Sequence, residues 1–357
     1  MPTISCRIWP GVHSPHDAGD GPATEQRLQN RDEAISPQKA MKTSTRLLRI
    51  GLILTLGIGS MSAQDLGEQL KKIGSENAQG YLSPLLSGWG AGLNSGFYHT
   101  ADLHAPLGFD IQIKLTLAQL PTGDREFSYR LPAQMTVGAQ TFVAGVDYPA
   151  EVSTSTAIGA KGGAVVRTFG GTELAQLPGG MDVPTAPLLI PQMVIGLPFG
   201  FEVMARFFPT AKLGDVGKIN MLGFGLRYDI DQYLPLFPVD VSIHFMTQKL
   251  TFQDAGGGDL VKGSATAYGF EVSKKILLLT IYGGVQLEDA SWTVGPYAAT
   301  VPGSATPVSV GEFSVDSRNS SRILIGARVQ MVFLNLHADY TLATIPVITF
   351  GAGITFR

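Results

Sequence analysis

Residues 348–357 read Ile-Thr-Phe-Gly-Ala-Gly-Ile-Thr-Phe-Arg. Ile348, Phe350, Ala352, Ile354 and Phe356 alternate without a miss with Thr349, Gly351, Gly353, Thr355 and Arg357. Successive side chains of a strand point to opposite faces, so this pattern specifies a β-strand with one apolar face and one small or polar face. A strand of that kind suits a wall with hydrocarbon on one side and a polar interior on the other.

The pattern recurs upstream. Phe109, Ile111, Ile113, Leu115 and Leu117 oppose Asp110, Gln112, Lys114 and Thr116; Leu222, Phe224, Leu226 and Tyr228 oppose Gly223, Gly225 and Arg227. Similar runs cover 199–206, 239–246, 267–273, 279–288, 322–329 and 334–341. A water-soluble β-sandwich also alternates. Here, however, the apolar face is almost free of charge, and many runs approach the ten or so residues that a tilted strand needs to cross a bilayer, against roughly five or six in ordinary strands. The expected fold is all-β, a transmembrane antiparallel β-barrel. Less regular segments near 85–98, 124–131, 138–147, 157–169 and 188–196 raise the expected count to about 14 strands, with 12 as the alternative. The connections near 197–198, 273–276 and 332 are short, and those at 209–216, 253–261 and 290–320 are long, which fits a barrel with tight turns at one end; 230–238 is a longer turn at the tight end.

Met41 opens a second kind of signal. The stretch Met41-Lys42-Thr43-Ser44-Thr45-Arg46-Leu47-Leu48-Arg49 is basic, 50–58 is apolar, and Met61-Ser62-Ala63 precedes Gln64. This is the layout of a secretory signal peptide over 41–63, too short to span a membrane as a helix. Residues 1–40 are expected to be a mis-called upstream extension or a disordered one; a genuine N-terminal domain is the alternative. The only cysteine, Cys6, falls in that extension, so the exported part has no disulfide chemistry. With 26 Lys+Arg against 29 Asp+Glu and no basic patch, nothing suggests nucleic acid as a partner. Residues 64–98 are expected to supply a short amphipathic helix (65–79) and a plug or first strand, and 99–357 the barrel.

No enzyme motif stands out, and no catalytic, cofactor-binding or metal residue is assigned. His99 and His104 are loosely spaced like metal ligands, but loop histidines are more often solvated or hydrogen-bonded. Gly256-Gly257-Gly258 and Pro178-Gly179-Gly180 lack the strand–loop–helix setting of a phosphate loop and are expected at loop tips. The charges on the inward face are the candidate functional set: Asp110, Lys114, Glu202, Arg206, Arg227, Asp229, Glu271, Glu288, Arg322, Arg328, His337 and Asp339. They form either a self-neutralising ladder that fills the barrel, since buried charges must be paired, or a lining that guides a solute. Trp89, Trp292, Tyr98, Tyr228, Tyr233, Tyr268, Tyr297 and Phe356 fit interface girdles.

Tyr81-Leu82-Ser83-Pro84-Leu85, Gly92 to Ala101 (Gly-Leu-Asn-Ser-Gly-Phe-Tyr-His-Thr-Ala), Gly108-Phe109-Asp110, Gly225-Leu226-Arg227-Tyr228-Asp229-Ile230, Leu236 to Ser242 and the closing run from Ala338 resemble an uncharacterised family of predicted outer-membrane proteins of Gram-negative bacteria. The resemblance implies location and fold but no catalytic residues. More remotely, the plan of a helical piece before the strands is similar to the long-chain fatty-acid transporter family, an analogy of architecture. The partners expected are outer-membrane lipid, the barrel-assembly machinery and a hydrophobic small molecule. Two functions compete: a porin-like channel or transporter for a hydrophobic or small solute, and a non-transporting envelope assembly or anchoring protein using 131–187 and 290–320 as partner surfaces.

Overall fold

The computed structural model describes residues 75–212, 218–234, 236–253, 257–299 and 308–357. The signal peptide and the upstream extension expected from sequence lie outside these residues.

Ten antiparallel strands form the wall: β1 (Phe109–Gln119), β2 (Thr185–Gly196), β3 (Phe201–Lys212), β4 (Lys218–Asp229), β5 (Asp240–Gln253), β6 (Asp259–Ile276), β7 (Leu279–Val294), β8 (Ser321–Met331), β9 (Leu334–Leu342) and β10 (Val347–Phe356). Each pairs with its sequence neighbours, and β10 closes on β1 in unbroken register from Phe109↔Phe356 to Ala118↔Val347. Closure matters because an open edge in hydrocarbon leaves N–H and C=O groups without partners, each at a cost of several kcal/mol.

The expected count of 14, or 12, is therefore corrected to ten among the described residues. The nine regular runs and 188–196 are all in the wall. The other four irregular segments are not. Residues 85–98 are mostly helix: α1 spans Ser75–Leu93, starting later and running further than the helix expected over 65–79, of which 65–74 lie outside the described residues. Residues 124–131, 138–147 and 157–169 contribute to small hairpins, Glu126–Arg130 with Glu151–Ser155, Gln134–Val137 with Gln140–Val143, and Val165–Arg167 with Glu173–Gln176. These hairpins sit in one long connection between β1 and β2, residues 120–184, which forms a cap over one end of the barrel. Short alternating stretches satisfy the strand pattern equally well on or off the wall, so periodicity alone could not separate them. The analogy with a fourteen-strand transporter plan does not extend to the strand count.

The alternation sorts the two faces. Ile111, Ile113, Phe224, Ile281, Ile325 and Phe350 are exposed on the outside, whereas Lys114, Arg206, Glu271, Arg328 and Thr349 on the opposite parity are buried. No described helix is long and apolar enough to cross a membrane. A closed sheet with an apolar outer surface and a charged interior is the outer-membrane β-barrel solution.

Inward glycines make the wall thin where large side chains need room. A Cβ on Gly263 would overlap the Trp292 ring, one on Gly326 the Tyr282 ring, and one on Gly351 the His337 ring. In each case the ring belongs to the adjacent strand, so the glycine is the hole for its neighbour's knob. Trp292, Trp89 and Tyr98 accordingly lie inside rather than at the membrane interface: Trp89 stacks on Phe252 with centroids 4.9 Å apart, and Tyr98 packs edge-on to Tyr282 at 5.9 Å. The girdle reading placed them by their closeness to strand ends; their even parity with Glu288 or their position in the plug decides otherwise. Tyr228, Tyr233 and Phe356 do sit at the rim with the short turns.

Candidate functional site

The interior is occupied by the chain's own N-terminal segment. α1 begins under the cap, where Asn77 exchanges hydrogen bonds with the main chain of Arg130 (2.9 and 2.8 Å) and Tyr81 donates to the Gly179 carbonyl (2.8 Å). Gly179 and Gly180 are thus packed inside the cap against residues 156–162, not at an exposed loop tip. Gly88 and Gly92 let the helix approach Ala118, Ala186 and Leu188 of the wall. Leu82, Leu85, Leu86 and Leu93 are buried with Leu250, Val261 and Trp292 in one apolar cluster. After Leu93 the segment leaves helical form and runs on, past residue 98, to Gly108 at the turn end.

Wall side chains hold the end of α1 and the irregular piece after it by their carbonyls. Arg206 donates to Leu93 O and Ser95 O, both at 2.7 Å, is steadied by Gln192 (2.9 Å), and lies over the Phe97 ring at 4.3 Å. Gln248 donates to Leu93 O (2.8 Å), Gln192 to Phe97 O (2.8 Å), Gln286 to Asn94 O (2.9 Å) and Arg322 to Ala91 O (3.0 Å). A segment without regular structure has main-chain acceptors to satisfy, and when buried it needs such donors.

Charges also neutralise one another around the plug. Arg227 pairs with both Glu202 and Glu271 and donates to Thr100 O. His244 approaches Glu271 at 2.8 Å, and Arg322 pairs with Glu288. His104 offers Glu202 its main-chain N–H (3.0 Å) and its ring Nδ1 (2.7 Å), with Nε2 at 2.9 Å from Thr355 Oγ1. His99 sits 3.2 Å from Asp110 and 3.2 Å from Arg328, and Lys114 donates to Gly96 O. At the exit Arg357 pairs with Asp102. Both histidines are thus hydrogen-bonded plug residues, and among the described residues no cluster suited to a metal ion occurs.

Eleven of the twelve inward charges singled out from sequence are buried in this interior; Asp229 lies at the end of β4 and is only half-buried. Sequence reading did not single out Gln192, Gln248, Gln286 or Ser273, which bear as much on the plug as the charges do. Their parity was a usable signal, since each falls on the inward row of its strand.

The plug is gripped from both sides: Gln192, Arg206, Arg227 and Gln248 reach it from the β2–β5 wall, and Lys114 and Arg322 reach it from β1 and β8. On the wall of β1, β8 and β9, buried Asp110 Oδ1, Gln112 Oε1, Asn335 Oδ1, Arg328 Nε and both ring nitrogens of His337 have no hydrogen-bond partner. Buried polar atoms of that kind are commonly met by water. On the cap, a recess of about 360 Å³ is lined by Thr122, Gly123, Arg125, Glu126 and Ala160.

Residues 41–356 match DUF6588, a family of unknown function. A comparison with curated proteins gives no match. Among solved structures, the translocator domain of the autotransporter NalP from Neisseria meningitidis aligns at 10% identity and a TM-score of 0.28, covering 71% of this chain and 90% of that one. Ail, the attachment invasion locus protein of Yersinia pestis, aligns at 10% identity and 0.23, covering 71% and 100%. The siderophore receptor PirA from Acinetobacter baumannii aligns at 6% and 0.29, covering 67% and 30%. Likenesses at these scores carry no argument about what the chain does.

Proposed function

The chain belongs to the DUF6588 family of unknown function, and we propose that it is an outer-membrane barrel kept shut by its own N-terminal segment, holding the 120–184 cap at the outer face as a binding or anchoring surface. The observation that carries this reading is the use of Arg206, Arg227 and Arg322 as clamps on plug carbonyls at Leu93, Ser95, Thr100 and Ala91. Withdrawing the plug breaks every one of these bonds and leaves buried guanidinium groups and carboxylates short of partners, which is far more unfavourable than forming the bonds is favourable. A barrel built this way rests closed. Purified protein in planar bilayers should show no stable pore conductance; a steady open pore in the unmodified protein would sink the reading. Pull-downs from native membranes with and without the outer half of the cap would then identify what the surface holds.

A second reading is passage of a small polar solute along the β1, β8 and β9 wall. It is favoured by the unpartnered atoms of Asp110, Asn335 and His337 there. Passage of a hydrophobic solute has less support, because the apolar side chains below Leu93, among them Val194, Met204, Met246 and Leu324, are already packed against Phe97 and Tyr98 of the plug. Uptake of small polar solutes into liposomes carrying the refolded protein separates this reading from the first.

A further inference from the structure

All five junctions at the turn end of the barrel place a large apolar residue at positive φ. Leu107 enters β1 (φ 70°), Phe199 joins β2 to β3 (66°), Leu236 joins β4 to β5 (76°), Leu277 joins β6 to β7 (57°) and Val332 joins β8 to β9 (53°). Among the described residues the one other non-glycine at positive φ is Asp182, in the cap. Glycine, Asn and Asp are the residues that tolerate this conformation, and a bulky or β-branched side chain there is strained. Each of the five side chains is also almost wholly exposed, from 86% for Phe199 to 102% for Leu236. Strain and exposed apolar surface are two separate penalties, and both are borne at every turn of one rim and at none of the described connections of the other.

The rim continues a surface whose neighbour is already assigned. The outward row Ile281, Leu279 runs straight on to Leu277, and Leu336, Leu334 to Val332; Phe201 adjoins Phe199 and Phe109 adjoins Leu107, with no outward polar side chain between. Aromatic Tyr228 and Tyr233 stand at the same level, their hydroxyls hydrogen-bonded to each other. Lys274, on an outward row between Val272 and Ile276, turns its ammonium group along the rim to Pro238 O, so its stem lies on apolar surface and its charge at the edge.

We infer that the five turn tips are membrane-contacting groups, sunk into the headgroup–acyl boundary of the leaflet on the turn side, so that the barrel ends inside the lipid there instead of standing clear in water. Amphipathic aromatic and lysine side chains at one level are the usual markers of that boundary. Burial in lipid removes the exposure penalty at the tips, which their aliphatic and aromatic identity requires and which an Asn-Gly turn in water would not.

The test uses the full-length mature protein in vesicles of phosphatidylethanolamine and phosphatidylglycerol, with Leu277→Trp and, independently, Val332→Trp. Folding of each variant is checked by heat-modifiable gel migration, and the emission of the unsubstituted protein, whose Trp89 and Trp292 lie in the interior, is subtracted. Difference emission should be blue-shifted, quenched by lipids brominated near the headgroup end of the acyl chain, and shielded from aqueous iodide. Red-shifted emission quenched by iodide and untouched by brominated lipid, in whichever variant folds, overturns the inference and leaves the tips as a water-exposed surface for a protein partner.

Discussion

Arg206 donates to the carbonyl of Leu93 at 2.7 Å, joining the middle of β3 to the last residue of α1 across 113 positions of sequence. The bond fixes the depth of the plug: the helix ends where the guanidinium group takes its last carbonyl. Beneath that level irregular chain is held by polar side chains and by an apolar cluster around Phe97 and Tyr98, and above it the helix packs mainly on apolar side chains.

Replacing Arg206 by Met should leave the Ser95 carbonyl buried without its donor and remove the steadying contacts to Gln192 and Gln248. Unmet buried acceptors cost about 1–3 kcal/mol each, so unfolding in detergent should begin at visibly lower temperature on heat-modifiable gels. Bilayer recordings of the same variant should show intermittent current absent from the parent protein.

Arg227→Met strands two buried carboxylates, Glu202 and Glu271, and should destabilise by about 3–5 kcal/mol. The triple replacement with Glu202→Gln and Glu271→Gln should recover much of that loss in denaturant titrations. A triple variant as damaged as the single one would mean that Arg227 acts through the Thr100 carbonyl and not through charge balance.

Phe224→Arg places a charge on the outer face, at about 2–4 kcal/mol near the midplane, and should impair assembly into the membrane. Gly225→Arg should fail as well, for a different reason. A Cβ at Gly225 would already lie 2.6 Å from Met246 Sδ and 2.7 Å from Met204 Cε, so even Gly225→Ala should lower stability by about 1–3 kcal/mol through overpacking. Tolerance of Gly225→Ala, measured by the unfolding midpoint, would show an interior looser than described.

Deleting residues 347–357 removes the strand that pairs with both β1 and β9 and should abolish the protease-resistant folded band altogether. Phe356→Ala loses the ring contact with Phe109, centroids 5.0 Å apart, and should slow assembly without preventing it. Time courses of band-shift formation in vesicles measure both.

Much of this was legible in sequence, because a barrel wall imposes one rule on each strand. Ile111 and Lys114 betray their faces by parity alone, and the unbroken run from Ile348 to Phe356 identifies the seam. What stayed hidden followed no such rule. Residues 138–147 alternate well enough to mimic a wall strand, yet their strand Gln140–Val143 pairs only with Gln134–Val137 inside the cap. Ser75–Leu93 carries five glycines or prolines among its residues and reads poorly as a helix; it is stabilised by the barrel that surrounds it, a tertiary term that local propensity does not contain. The plug partners of Arg206 and Arg227 are main-chain carbonyls, at Leu93, Ser95 and Thr100, which have no residue identity to recognise.

The path of α1 has a consequence for how the molecule is made. Ten wall strands and one passage through the interior give an odd number of membrane crossings, so Ser75 and Phe356 stand on opposite faces of the bilayer. The passage is enclosed by a sheet hydrogen-bonded all the way round, with Asn77 and Tyr81 fastened to the cap at its end. The pairing of Val347–Phe356 with Phe109–Gln119 completes that ring, so once it has formed the threaded segment leaves sideways only by breaking a ladder.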